Sequence, residues 1–174
     1  MSNVAREKTL VLMRHAKAEE GLDKPDHDRE LAARGRRDAS AAGRWLRDEG
    51  LVPDLVICST SMRTRQTWDQ ACHGGANAEF VEFRRSVYLG GVEQTLETIR
   101  EDAGDMVGVL VVGHNPTMAN LTSLLSDGDG SREAHDALAA GFVTSGLAVL
   151  QYAGEWADLD LGVCSLLRFH VSRG

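Results

Sequence analysis

Short, uninterrupted apolar runs recur along the chain, separated by stretches in which apolar residues return every three or four positions. Thr9-Leu-Val-Leu-Met13, Asp54-Leu-Val-Ile-Cys58 and Val107-Gly-Val-Leu-Val-Val112 are too short for helices and too uniformly apolar for half-exposed strands. Each therefore reads as a strand buried on both faces. Between the first two, Leu31, Ala39, Ala42, Trp45 and Leu46 recur near helical spacing over Leu31–Glu49, and Gly50 supplies a stop. The pattern predicts one βαβ unit over residues 9–58. Further helices are predicted over Ser61–Cys72, Glu93–Asp102 and Pro116–Leu125, the last opening with proline in its first turn. Toward the end, Gly146–Gln151, Trp156–Leu161 and Ser165–His170 alternate like antiparallel strands, with a turn at Ala153-Gly154.

Strands alternating with helices imply an α/β fold, with a mostly parallel sheet covered on both faces. The 174 residues hold no interior tract that reads as a linker, so one domain over 1–174 is expected. Cys58, Cys72 and Cys164 form neither a CxxC pair nor a Cys/His ladder, which predicts free thiols rather than a zinc site or disulfide framework. The first apolar run, Leu10 to Met13, is cut off at once by Arg14, so neither a signal segment nor a membrane span is read there. The expected location is the cytoplasm. A formal charge of -7 argues against nonspecific nucleic-acid binding, although an acidic body can still carry one basic pocket.

In an open parallel sheet, ligands bind beyond the carboxyl ends of the strands. The first strand is followed by Arg14-His15-Ala16, the second by Ser59-Thr60-Ser61-Met62-Arg63, and the third apolar run by Gly113-His114-Asn115-Pro116. Two histidines, two arginines and small hydroxyl residues on one edge suit a doubly charged tetrahedral oxyanion such as a phosphoryl group. No carboxylate stands at these ends to hold Mg²⁺, which points to metal-free covalent transfer with no cofactor. Histidine can carry such an intermediate, and neighbouring guanidinium charges would keep its ring neutral.

Leu12-Met13-Arg14-His15-Ala16 resembles the Arg-His-Gly signature of the histidine phosphatase superfamily, and Gly113-His114-Asn115-Pro116 resembles its second histidine motif. Ser59-Thr60-Ser61-Met62-Arg63-Thr64-Arg65-Gln66-Thr67 is similar to the family's Ser-x-x-x-Arg-Thr-x-Gln-Thr stretch. Asp26-His27-Asp28-Arg29, followed by Leu31 and Arg34-Gly35, resembles a segment of the short SixA-like branch, the phosphohistidine phosphatases. The motifs stand in family order across nearly the whole chain.

The resemblance implies a phosphoglycerate mutase-like three-layer α/β/α sandwich. It also implies that His15 is the phosphorylated nucleophile and that Arg14, Arg63 and His114 clamp the phosphoryl oxygens. Ser59 would add a hydroxyl donor at the pocket edge or serve as a turn residue. Arg29 is a minor candidate for substrate contact, beside Arg34, Arg36 and Arg37 on what reads as a solvated helix start.

Two departures from the family pattern stand out. Ala16 replaces the usual Gly, which costs nothing only if the loop avoids positive φ. The general acid that long members place after the second arginine has only Glu93 as a counterpart, with Asp28 as the other candidate. A missing acid favours P–N substrates, because imidazole leaves more readily than an alkoxide. The expected partner is a phosphorylated protein such as a histidine-containing phosphotransfer domain. A small phosphorylated molecule, with a phosphomonoester as substrate, is the alternative. A noncatalytic phosphate-binding module is a third reading, against which all four site residues are intact.

Competing motifs fail on inspection. Cys58 stands one residue short of a Cys-x₅-Arg loop. Asp158-Leu-Asp160-Leu-Gly162 lacks the Thr or Val that an aspartyl-nucleophile motif carries at its fifth place. Asp127-Gly-Asp-Gly130 lacks the closing Glu of a calcium loop and reads as a turn. His27, His73, His135 and His170 read as ordinary loop or cap residues.

Overall fold

The computed structural model describes residues 6–174. β1 (Glu7–Arg14), β2 (Leu55–Ser59) and β4 (Gly108–Gly113) form where the uniformly apolar runs lie, each slightly offset from its predicted bounds. β4 lies between the other two and pairs in parallel with both. The βαβ unit over residues 9–58 is thus a crossover that skips one strand.

The sheet has seven strands in the order β3-β2-β4-β1-β6-β7-β5. β3 (Phe80–Arg84) adds in parallel to β2 at one edge, whereas β6 (Gly146–Ala153) and β7 (Cys164–Val171) run antiparallel on the other side.

Side chains alternate across this sheet and divide the core into two layers. Leu10, Leu12, Leu55, Ile57, Val109 and Val111 pack under Leu96 and Ile99 of α4 (Val92–Asp102) and Met118, Leu121 and Leu125 of α5 (Thr117–Leu125). Val11, Met13, Val56, Cys58, Leu110 and Val112 face Ala42 and Leu46 of α1 (Ala33–Asp48) and Trp68 and Ala71 of α2 (Met62–Gly74). The result is the expected three-layer α/β/α sandwich. α1 and α2 approach closely because Gly43 has no side chain; a Cβ there would overlap the Ala71 carbonyl.

Several expectations are corrected. Trp156–Leu161 is not a strand: Trp156–Asp158 forms a 3-10 turn, because Trp156 and Leu159, three residues apart, are both buried. The Trp156 indole N–H also donates to the Met106 carbonyl (2.6 Å). The link from β6 to β7 is therefore the long segment 154–163 rather than a tight turn at Ala153-Gly154. Asp127–Gly130 is not a simple turn but part of β5 (Ser126–Gly130), an irregular edge strand that meets β7 only at Ser126 and Gly130. The structure also contains α3 (Arg85–Leu89) and α6 (Arg132–Ala140), the latter capped by Ser131, whose hydroxyl accepts from the Ala134 N–H. Among the described residues, no helix is long and apolar enough to cross a membrane.

Candidate active site

The register of the parallel strands brings the two histidines together. Arg14 at the end of β1 pairs with Gly113 at the end of β4, so His15 and His114 emerge side by side. Their ring centroids lie 5.3 Å apart. β2 ends one strand further on at Ser59, whose Oγ is 2.7 Å from His114 Nε2. Arg63, in the first turn of α2, reaches His114 Nδ1 with Nη2 (3.2 Å).

The stretch from Ser59 to Thr67 is built to hold these groups. Ser61 caps α2 by accepting from the Thr64 N–H, and Thr64 Oγ1 donates back to the Ser59 carbonyl (2.8 Å). Gln66 Oε1 accepts from the Leu31 N–H (2.8 Å), which ties in the segment that follows β1. Thr67 Oγ1 donates to the Arg63 carbonyl and accepts from the Ala16 N–H (3.0 Å), so the hydroxyl fixes the loop that carries His15. Ala16 is fully buried against Leu31 and Ala39 and is not among the positive-φ residues, so the loop tolerates its methyl group.

Each imidazole has a defined tautomer. His15 Nδ1 lies 2.7 Å from the Ala16 carbonyl, which can only accept, so Nδ1 carries the proton and a neutral ring leaves its lone pair on Nε2. Burial is the largest influence on this ring. Together with the charges of Arg63, Arg14 and Arg29, and against the upward pull of the Ala16 carbonyl, it lowers the His15 pKa to about 4. The guanidinium charges invoked from the sequence therefore act second to desolvation. At His114 the guanidinium of Arg63 can only donate to Nδ1, so Nε2–H donates to Ser59. Burial first, then His15 and Arg63, lower His114 to about 3. Both rings are neutral near pH 7.

The arginines are anchored but not saturated. Arg14 Nη1 donates to the Phe142 carbonyl (3.0 Å), which also accepts from Asn115 Nδ2 (2.7 Å). Arg63 Nη1 and Nη2 donate to the Asp26 carbonyl (2.8 Å) and to Asp26 Oδ2 (3.1 Å). In both guanidinium groups Nε is buried and has no hydrogen-bond partner among the described residues. An unpaired charged donor is costly in a desolvated place. Two of them beside neutral imidazoles suit a tetrahedral oxyanion.

The model of the histidine phosphatase superfamily (branch 1) matches residues 10–103, a little over half of the chain. The chain belongs to the histidine phosphatase superfamily. This phosphatase is 40% identical over 162 residues to the uncharacterized protein Rv1276c of Mycobacterium tuberculosis, spanning 92% of this chain and 100% of that protein. It is similar to the solved structure named putative phosphohistidine phosphatase SixA from Nakamurella multipartitia, with a TM-score of 0.84 and 38% identity over 98% of this chain and 99% of that one. A second SixA structure, from Agrobacterium tumefaciens, gives a TM-score of 0.75 and 30% identity over 94% and 98%. The phosphatase is SixA-like in both sequence and fold.

Beyond the four central residues, the other candidates in this histidine phosphatase are spread out. Ser59 is fully buried and bonded to His114. Arg29 lies near the cluster, donating to the Glu19 carbonyl (3.0 Å) and to Asp26 Oδ1 (3.1 Å). Asp28 is exposed and faces His27 Nδ1 at 3.5 Å. Glu93 is exposed in the first turn of α4, and no hydrogen bond or ion pair among the described residues joins it to the cluster.

Sequence reasoning gave no role to Asp26 or Tyr88. The Asp26 carboxylate accepts from Arg29, Arg63 and the Tyr88 hydroxyl (3.0 Å). Burial works to raise this carboxyl, but the hydrogen bonds from Arg29 and Tyr88 and the charge of Arg63 outweigh it and hold the pKa at about 2. Tyr88 meets His27 edge-on at 4.7 Å and His114 at 5.7 Å. The one available signal was the motif Asp26-His27-Asp28-Arg29, whose spacing does not say which carboxylate turns inward.

Proposed function

We propose that the protein is a phosphohistidine phosphatase that passes the phosphoryl group from a histidine of a partner protein to His15 and then to water. The observation that carries this reading is the state of His15: a neutral ring tethered through Nδ1, with Nε2 bare beside two buried guanidinium N–H groups that lack partners. In-line attack by Nε2 forms a new P–N bond while the bond to the substrate's ring nitrogen breaks, its electron pair staying on the departing imidazole. Water then displaces the phosphoryl group from His15 as inorganic phosphate. Arg14 and Arg63 hold the phosphoryl oxygens through their Nε–H groups, and His114 joins by sharing its Nε2–H between Ser59 and an oxygen. No metal or cofactor is required, because fixed cations do the electrostatic work.

The preference for a P–N substrate follows from the acids available. Asp26 is held ionised and cannot give a proton to an alkoxide. Among the described residues no hydrogen bond or ion pair joins Glu93 to the cluster, and Asp28 is exposed and turned toward His27. A histidine-containing phosphotransfer domain fits as the partner, and free Cys58, Cys72 and Cys164 fit a reducing cytoplasm in which the chain acts as one domain.

Incubation with a labelled phosphohistidine protein tests the reading. Acid-labile, alkali-stable label should appear on the wild type and be absent from a folded His15→Ala variant. Label that persists in the variant removes His15 from the role.

A further inference from the structure

The in-line transfer proposed above puts the nucleophile and the leaving group on opposite sides of phosphorus. His15 is largely buried at the strand ends, so the leaving group faces the open mouth of the pocket. On the solvent-exposed side of Arg63 stand the 3-10 turn Asp26–Asp28 and Tyr88, bonded to one another through Asp26, with the Asp26 and His27 side chains about half exposed. The geometry points to Asp26 as the acceptor for the leaving group: its carboxylate takes a hydrogen bond from the far ring N–H of the substrate's phosphoimidazole, and Tyr88 positions it. This rests on the phosphohistidine reading and deepens it, since it names what recognises the departing ring.

The chemistry requires such an acceptor. A phosphoimidazole whose far nitrogen is protonated breaks its P–N bond to leave neutral imidazole, with that N–H still in place. Without the proton the ring must leave as an imidazolate anion, which is a far poorer leaving group. An ionised carboxylate on the far N–H keeps the ring in the reactive form. His15 already shows the same arrangement on the enzyme side, its Nδ1–H bound to the Ala16 carbonyl.

Asp26 has the capacity for this contact. Among the described residues Oδ2 accepts from Arg63 and Tyr88, whereas Oδ1 accepts from Arg29 alone, and each carboxylate oxygen offers about two acceptor sites. The charged and titratable groups around it are Arg29 on its own segment, Arg63 from α2, Tyr88 from α3, and the His27–Asp28 pair alongside, with His114 beyond Arg63. None of these competes as an anion for the far N–H except Asp28, which is turned toward His27. Tyr88 and His27, edge-on to each other at 4.7 Å, put two aromatic rings next to the Asp26 carboxylate, where a further flat ring can find an aromatic neighbour.

The test compares two substrates on the wild type, Asp26→Asn and Tyr88→Phe. Phosphoimidazole carries the far N–H, and p-nitrophenyl phosphate does not. Losing a charged hydrogen bond should lower kcat/KM for phosphoimidazole about tenfold more than for p-nitrophenyl phosphate in Asp26→Asn, with a smaller difference in Tyr88→Phe. The basic limb of the phosphoimidazole pH profile should move down by about one unit in Asp26→Asn. Equal losses on both substrates and an unmoved limb would reduce Asp26 to a support for Arg63 and overturn the inference alone. A wild type that turns over p-nitrophenyl phosphate but not phosphoimidazole would overturn the phosphohistidine reading and the inference together.

Discussion

The two sides of the sheet divide the work unequally. β2, β4 and β1 run parallel and end in the four residues of the candidate site, whereas β6 and β7 run antiparallel and carry none of them. Yet the second side supplies backbone to the first. The Phe142 carbonyl, just ahead of β6, takes hydrogen bonds from Arg14 and Asn115, and the Ser145 N–H donates to the His15 carbonyl (3.2 Å). Ser145 adopts positive φ (59°) with a side chain, an uncommon conformation that this contact helps to fix. One side thus carries the side chains of the candidate site and the other supplies backbone anchorage, so substitutions in the two should separate activity from stability.

The largest effect should come from the anchoring side. Trp156→Ala removes a ring that is 1% exposed together with its hydrogen bond to Met106. Urea unfolding should show a loss of about 3–5 kcal/mol, while kcat/KM per folded molecule stays near that of the wild type. A matching fall in kcat/KM would show that the division is not clean. Next, Arg63→Met on the reactive side should lower kcat/KM about 10²–10³-fold, with little change in the unfolding midpoint, as measured by steady-state hydrolysis and thermal melts.

The smallest effect near neutrality concerns pH. An unfolded chain protonates these imidazoles below their ordinary value of 6.5, whereas the folded pocket resists until about 4 at His15 and about 3 at His114. The unfolded state then binds more protons, so stability is level above pH 6.5 and declines as the pH falls from 6.5 toward 4. The loss should be on the order of 1 kcal/mol over the first unit, and shallower in His15→Asn. Melts from pH 7.5 to 4.5 that show no difference between wild type and variant would contradict the burial of a neutral His15.

Legibility in the sequence followed burial. β1, β2 and β4 are covered on both faces, so they appear as unbroken apolar runs. β3 was missed because it is an exposed edge in which Glu82 and Arg84 interrupt Phe80, Val81 and Phe83. β5 was missed because its Ser-Asp-Gly-Asp-Gly composition is that of a turn, and only its two ends pair with β7. Trp156–Leu161 misled because alternating apolar residues over six positions also fit a single turn with two inward side chains.

At the site, Arg14, His15, Arg63 and His114 were readable because each stands within a few residues of a buried strand's end, where topology fixes its direction. Asp26 and Tyr88 belong to connections whose paths are set only by tertiary contacts, 37 and 62 residues apart in the Arg63–Asp26 and Tyr88–Asp26 pairs. No local pattern records those meetings.

Ala16 has a consequence for the denatured chain. Glycine after His15 would give the unfolded loop access to the left-handed half of conformational space, and folding would have to surrender that freedom. A methyl group removes much of that ensemble in advance while filling the niche between Leu31 and Ala39. The segment that presents His15 is therefore biased toward its folded shape before the rest of the chain closes around it.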